Sequence, residues 1–508
     1  MTPALPQERA ATGIEGLDNV LGGGLPANHL YALQGGPGSG KTTLALQFLL
    51  TGLAAGETGL YVTLSETAEE LSAIAHSHGW SLEGLAIYEP PAAARGIERS
   101  APQTMFLPAE VELEEITRPL LAEIERVNPQ RVVLDSVSEI RLLAREALPY
   151  RREILALKRY FAGRGCTVLI IDEMPTETSD VLIRSVVHGV LLLEREVVQY
   201  GPPRRRITVD KLRGCAYREG FHDYRIRTGG IEVYPRLIAS EHQLGFKPES
   251  LPSGIPELDA LLGGGLCLGT STLLLGPAGT GKSTIAARYA LGAAEQGKSA
   301  AMYIFDESVG TLTHRCASLG MDLSPHLHSG QIVMHQVNPA ELTPGQLTDS
   351  VRRMVAERNT RLVILDSLNG YFQSVPNEPY MSLHMHELLN YLHYKGVATI
   401  LVLSQQGLVG SLTHVPIDMT YLADTVVLLR FFEAKGEVRQ AISVVKKRDG
   451  HHERTIREFR ILDDGLSVGP PLVEFQGVLT GVPEYRGPSL GYVSRESGAG
   501  EGETGAGR

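Results

Sequence analysis

Two stretches of the chain carry the residue types that a triphosphate requires. Gly35-Gly36-Pro37-Gly38-Ser39-Gly40-Lys41-Thr42 and Gly276-Pro277-Ala278-Gly279-Thr280-Gly281-Lys282-Ser283 both read G-x-x-x-x-G-K-[ST], and each continues into a further threonine, Thr43 and Thr284. Glycines at that spacing let successive backbone N–H groups converge on phosphate oxygens, and a helix beginning at the lysine adds the positive end of its dipole. Lys41 and Lys282 then reach the β and γ phosphates, while the hydroxyls of Thr42 and Ser283 ligate Mg2+. The expected ligand at both loops is ATP with Mg2+.

Such a site needs a second metal-holding group, a carboxylate at the end of a buried strand. Asp135 after Val132-Val133-Leu134 and Asp366 after Val363-Ile364-Leu365 fit, and each is followed by a serine, Ser136 and Ser367. Asp172 after Leu169-Ile170-Ile171 competes in the first copy, but the corresponding strand of the second copy ends near Ser404 and brings no acid. Hydrolysis also needs a group that orients or deprotonates the attacking water. Glu66 in Leu64-Ser65-Glu66-Thr67 and Asp306-Glu307 in Phe305-Asp306-Glu307-Ser308 follow the second apolar run of each copy.

The elements that must position these residues occur twice. Gly13-Ile14-Glu15-Gly16-Leu17-Asp18 with Leu21-Gly22-Gly23-Gly24-Leu25 returns as Gly254-Ile255-Pro256-Glu257-Leu258-Asp259 with Leu262-Gly263-Gly264-Gly265-Leu266, an offset of 254 − 13 = 241. Lys41 and Lys282, and Glu66 and Glu307, keep that offset. Short Val/Ile/Leu runs alternating with helical patterns predict an α/β fold with a mostly parallel, twisted sheet flanked by helices in each copy. The strands expected are 29–34, 59–64, 131–135 and 167–172, and then 272–275, 300–305, 361–366 and 398–404. Prolines 235, 248 and 252 interrupt the periodicity between the copies, so domains are expected at 1–240 and 241–482. Beyond them, 483–508 turns rich in Gly, Ser and Glu, the composition of a disordered tail.

Bulk composition narrows the function classes. Lys and Arg number 47 against 58 Asp and Glu, a formal charge of −11, which disfavours a general polyanion binder and makes a nucleic-acid partner an unfavoured expectation. The four cysteines, Cys166, Cys215, Cys267 and Cys316, show no CxxC spacing, so reduced thiols are expected rather than a zinc site or a disulfide framework. Residues 1–12 lack a basic start followed by an apolar run, and no stretch reaches about 18 uninterrupted apolar residues. A soluble cytoplasmic protein without membrane association is therefore expected.

The paired Gly-Gly-Gly-Leu lead-ins, the doubled loops, the Asp-Ser strand ends and the acid after the second strand resemble the KaiC family of RecA-type ATPases. The resemblance extends to about residue 482 and is most specific at Ala423-Asp424-Thr425-Val426-Val427-Leu428-Leu429-Arg430, Lys446-Lys447-Arg448 and Ile456-Arg457-Glu458-Phe459. It implies two tandem RecA-like P-loop NTPase domains and a homo-hexamer with ATP between neighbouring subunits. It also implies that Lys211 with Arg213, and Lys446 with Arg448, approach the nucleotide of the next subunit, where an arginine neutralises charge developing on the γ phosphate. A basic solvated hairpin or a nucleic-acid patch is the other reading of these pairs, especially since Arg204-Arg205-Arg206 lies near the first.

Family members of the clock type carry two adjacent glutamates after the second strand, the first acting as base. Here the pairs are Ser65-Glu66 and Asp306-Glu307, so the role passes to Glu66 in the first copy while the second keeps an acid at Asp306. The serine and threonine that the family phosphorylates align with Thr420 and Tyr421, which makes Thr420 the candidate phosphosite. The expected function is an ATP-hydrolysing ring, with serine/threonine autokinase activity as an extension, that switches a regulatory protein partner not named by the sequence. An ATP-cemented, non-catalytic scaffold is the alternative, followed by a RecA- or RadA-like DNA-dependent ATPase.

Overall fold

A computed structural model describes residues 8–487 apart from 91–108, 145–146, 174–179, 199, 244, 246, 248, 374–377, 406–418 and 481–482. It divides into two compact units: Met1–Gln243 with Val337–Arg358 and Phe372–Tyr391, and Leu244–Gln336 with Asn359–Tyr371 and Leu392–Arg508.

The sheet of the first unit comprises β1 (Leu30–Gly35), β2 (Gly59–Thr63), β3 (Ala86–Tyr88), β4 (Arg131–Asp135), β5 (Thr167–Glu173), β6 (Gly189–Glu196), β7 (Arg204–Leu212), β8 (His222–Arg227) and β9 (Gly230–Tyr234). Their order is β3-β2-β4-β5-β1-β6-β7-β8-β9; the pairs from β3 to β6 are parallel and those from β6 to β9 antiparallel. The second sheet repeats the plan with β10 (Ser271–Pro277), β11 (Ser299–Ile304), β12 (Ile332–Gln336), β13 (Thr360–Asp366), β14 (Ala398–Gln405), β15 (Thr425–Ala434), β16 (Glu437–Lys447), β17 (Arg457–Leu462) and β18 (Gly465–Pro471). Its order is β12-β11-β13-β14-β10-β15-β16-β17-β18, the same sequence of strands advanced by nine.

Central strands read as continuous apolar runs because helices cover both faces. Side chains alternate across the sheet, so Tyr31 and Leu33 of β1 join Tyr61, Val133 and Leu169 in one core, together with Leu44, Phe48 and Leu49 of helix α1 (Lys41–Ala54). Leu30 and Ala32 join Leu60, Val62, Val132 and Leu134 in the core on the other face. All eight expected strands are present to within two residues at either end. The antiparallel extension β7–β9, which begins with three consecutive arginines, has no such apolar signature and was not expected.

Parallel packing brings the carboxyl ends of β1, β2 and β4 together, the edge at which open α/β sheets hold ligands. The start of the expected disordered tail is ordered instead: Glu484–Tyr485 pairs antiparallel with Phe475–Gln476, where the Phe475 and Tyr485 rings meet edge to face and give this segment the apolar contact that the rest of the tail's composition lacks. Residues 488–508 of the expected tail lie outside the described residues.

Candidate nucleotide sites

Each loop leaves the end of its central strand at a glycine that cannot be enlarged. A Cβ at Gly35 would lie 2.5 Å from the Leu193 carbonyl oxygen, and one at Gly276 would lie 2.4 Å from that of Leu429. The last glycine before each lysine is left-handed, with φ of 94° at Gly40 and 91° at Gly281, which turns the chain into α1 and into α3 (Lys282–Glu295). Lys41 Nζ donates to the carbonyls of Gly35 (2.8 Å) and Gly36 (3.2 Å); Lys282 Nζ does the same to Gly276 (2.9 Å) and Pro277 (2.7 Å). Burial lowers the proton affinity of both ammonium groups, that of Lys282 down to about 8. An anion seated in the loop would restore it.

Asp135 and Asp366 end β4 and β13, and both precede a cis peptide bond. Burial raises the pKa of each carboxyl, that of Asp366 up to about 6. Around Asp135 the Tyr61 hydroxyl, Lys41 and the Thr42 hydroxyl oppose that rise. Around Asp366 the Ser283 hydroxyl opposes it, but Glu307 and Asp306 add to it. Tyr61 donates to Asp135 Oδ2 at 2.5 Å, whereas Asp366 Oδ2 is buried without a hydrogen-bond partner. Asp172, the competing acid, is held elsewhere: Gln34 and Ser138 donate to it and Arg141 lies 3.4 Å away.

The acids that follow the second strand are set by short turns. Thr63 bonds the Glu66 backbone in both directions, and Thr67 with Glu70 forms a capping box on α2 (Ala68–Ser77). Glu66 Oε2 is buried and unpartnered, and burial, Asp135 and Glu70 together raise the pKa of the carboxyl against the pull of Lys41. In the second unit Ser308 caps α4 (Val309–Ser318), Asp306 accepts a hydrogen bond from the Ser367 hydroxyl, and Glu307 pairs with Arg315 at 2.5 Å. Lys41, Asp135 and Glu66 thus converge beside one loop, and Lys282, Asp366, Asp306 and Glu307 beside the other.

The cationic pairs do not join them. Lys211 is level with Ala32 through Val190, and Leu212 with Tyr31 through Gly189, so they stand at the start of β1 rather than at its loop end. With roughly 3.3 Å per residue, the four steps from Ala32 and five from Tyr31 to Gly36 put Lys211 and Leu212 about 13–17 Å along the strand from the loop of their own unit. Lys211 donates to the carbonyls of Arg184 and Val187, and Arg213 to that of Ser185. Lys446 likewise holds the carbonyls of Thr420 and Ala423, and Arg448 that of Tyr421. The arginine triplet forms no bare stripe: Arg205 points at the Gly38 carbonyl (3.5 Å) and Arg206 pairs with Glu196 (3.1 Å).

Two residues at the sites carry no motif. Tyr61 and Arg315 are visible in the sequence only by laying one copy on the other, where the 241-residue offset puts Met302 opposite Tyr61 and Ile74 opposite Arg315.

Comparison with known proteins agrees with this duplicated plan. The KaiC ATPase family model matches residues 10–238 and 251–473. The circadian clock oscillator protein KaiC of Thermostichus vulcanus is 25% identical over 481 residues, covering 94% of this chain and 92% of that protein, and the one from Thermosynechococcus vestitus gives the same figures. The KaiC protein of Synechococcus elongatus is 25% identical over 485 residues, covering 93% and 91%. With both repeats matched along nearly their whole length, the chain belongs to the KaiC family of ATPases.

Proposed function

We propose that the chain hydrolyses Mg2+-ATP at two chemically unequal sites and uses the turnover as a signalling switch. The observation that carries hydrolysis is Glu66: a carboxylate with a buried, unpartnered oxygen and raised proton affinity, beside the loop lysine and Asp135. A carboxylate whose proton affinity is raised is a better acceptor for the proton of an attacking water.

Thr42 with Asp135, and Ser283 with Asp366, are the residues that would hold Mg2+; the buried unpartnered Asp366 Oδ2 fits a hard divalent cation. The ion would neutralise charge on the β and γ phosphate oxygens. The loop amides and lysines bind the triphosphate, and Glu66 in the first site, or an acid of the Asp306-Glu307 pair in the second, orients the water.

Assembly into a homo-hexamer completes each site. This reading rests on the family likeness together with the placement of Lys211 and Arg213 at the start of β1, away from the loop of their own unit, and of Lys446 level with Leu273 near the start of β10, where they would serve the nucleotide of a neighbour. Lys446 and Arg448 also hold the backbone carbonyls of Thr420 and Tyr421, so Thr420 would share their edge in such a ring, which supports it as an autophosphorylation site. No helix among the described residues is long and apolar enough to cross a membrane, and all four cysteines are free thiols, in keeping with a cytoplasmic protein that meets a regulatory partner there.

Incubation of the purified chain with γ-labelled ATP tests the hydrolysis and the autophosphorylation. Free labelled phosphate that disappears in the Lys41→Ala, Lys282→Ala double variant supports hydrolysis. Label retained on Thr420 adds the kinase, and no label in either pool leaves the scaffold reading.

A further inference from the structure

The two sites differ most in what holds the glutamate. Among the described residues, Lys41 is the cation that acts on Glu66, and the residue of α2 aligned with Arg315 is Ile74, part of the apolar packing of that unit. Glu307 instead accepts from Arg315 Nη2 at 2.5 Å, and Arg315 Nη1 lies 3.4 Å from the Thr284 hydroxyl on the first turn of α3. Arg315 therefore bridges the acid to the phosphate-loop helix. Its Nε is buried without an acceptor, so among the described residues these two contacts are the hydrogen bonds that orient the guanidinium. Asp306, one residue earlier, points to Ser367, the residue next to Asp366.

We propose that Arg315 is a positioning residue that draws Glu307 aside onto α3, so that Asp306 alone activates water in the second site. Resting on the hydrolysis proposed above, the assignment gives the two repeats different bases: Glu66 in one, and the residue aligned with Ser65 in the other. In the step itself the water oxygen bonds to the γ phosphorus and its proton goes to Asp306. The bond from that phosphorus to the β–γ bridging oxygen breaks, leaving ADP and inorganic phosphate. Arg315 touches none of these atoms. It neutralises a carboxylate that otherwise stands as a third negative charge with Asp306 and Asp366 where the triphosphate must enter, and like charges at such spacing repel strongly when partly desolvated.

Phosphate release by the full chain, first wild type and then Lys41→Ala, reads the second site. In the Lys41→Ala background Asp306→Asn is expected to lose about 100-fold in kcat with KM little changed, whereas Glu307→Gln loses less than about fivefold. Arg315→Ile is expected to raise KM for Mg2+-ATP about tenfold by leaving Glu307 unpaired, Arg315→Lys to raise it less, and adding Glu307→Gln to Arg315→Ile to bring it back. The return of KM on removing a second side chain is something a merely structural arginine would not give. Glu307→Gln falling as far as Asp306→Asn, or a high KM that persists in the double variant, overturns the assignment. So does a Lys41→Ala chain that is inert while the wild type turns over. A wild type that releases no phosphate sinks the hydrolysis reading itself.

Discussion

Tyr61 Oη donates a 2.5 Å hydrogen bond to Asp135 Oδ2, and the second repeat offers Asp366 no such partner because Met302 stands at the matching strand position. The first carboxylate is thereby fixed in orientation by a neighbouring strand, while the second depends on Ser283 and on whatever cation it meets. Tyr61→Phe leaves a buried carboxylate oxygen without its donor, a loss of about 1–3 kcal/mol. At about 2–4 °C per kcal/mol for a unit of this size, the nucleotide-free thermal transition of the first unit should fall by several degrees. The second unit's transition should stay where it was. Calorimetry without nucleotide checks this, and an unchanged first transition would show that the hydroxyl contributes nothing.

Asp366 gives a pH dependence of definite sign. Burial pushes its pKa up to about 6, whereas in the unfolded chain it ionises near 4. Between those values the folded chain retains a proton that the unfolded chain has lost, so stability falls as pH rises through the window. Above about pH 6 the whole penalty is present, on the order of 3 kcal/mol. Asp366→Asn should therefore raise the midpoint of the second unit at pH 8 and leave it nearly unchanged at pH 4, while abolishing the extra stabilisation by Mg2+ in the presence of ATP. Melting curves at the two pH values decide it. An equal rise at both would assign the effect to packing rather than to charge.

Glu66 should be indispensable to the first site in spite of Ser65 ahead of it. With the second loop silenced by Lys282→Ala, Glu66→Gln is expected to lower kcat by about 10²–10⁴-fold with a small change in KM, because the amide keeps the shape and removes the base. Ser65→Ala should be within about twofold of its parent, since a hydroxyl of ordinary acidity cannot take the proton. The reverse pattern in single-turnover hydrolysis would move the base to Ser65 or to the neighbouring subunit.

The parts of the sites that were legible in the sequence are those encoded by local backbone shape. Gly38, Gly40, Gly279 and Gly281 all adopt positive φ, and that demand writes itself into spacing. Asp135 and Asp366 were readable for a similar reason, as the first polar residues after strands buried on both faces. Tyr61 and Arg315 were not readable, because their roles arise from which neighbour a strand or helix face meets. Tyr61 looks like any apolar strand residue until β2 is paired with β4 so that Thr63 lies against Asp135. Arg315 looks like a solvated helix charge until α4 is seen to carry it over Glu307. The antiparallel strands β7 and β8 escaped for a third reason: their partly exposed, arginine-bearing faces break the apolar run by which a central strand is recognised.

The placement of Lys211 and Arg213 at the far end of β1 from the loop predicts complementation between subunits. In a Lys282→Ala background, Lys41→Ala removes the loop of the first site and Arg213→Ala removes the cation offered to the neighbour, so each chain alone should be nearly inactive, the second by about 10³-fold or more. Mixed and reassembled, a subunit with an intact Lys41 will sometimes stand beside one with an intact Arg213. Phosphate release should then return to about a quarter of the parental first-site rate at equal ratios, because random neighbours supply both intact halves at roughly one interface in four. A cation acting within its own chain gives no recovery at any ratio. Recovery that rises with the time allowed for subunit exchange, and vanishes when the rings are locked by cross-linking before mixing, would tie the effect to the interface itself.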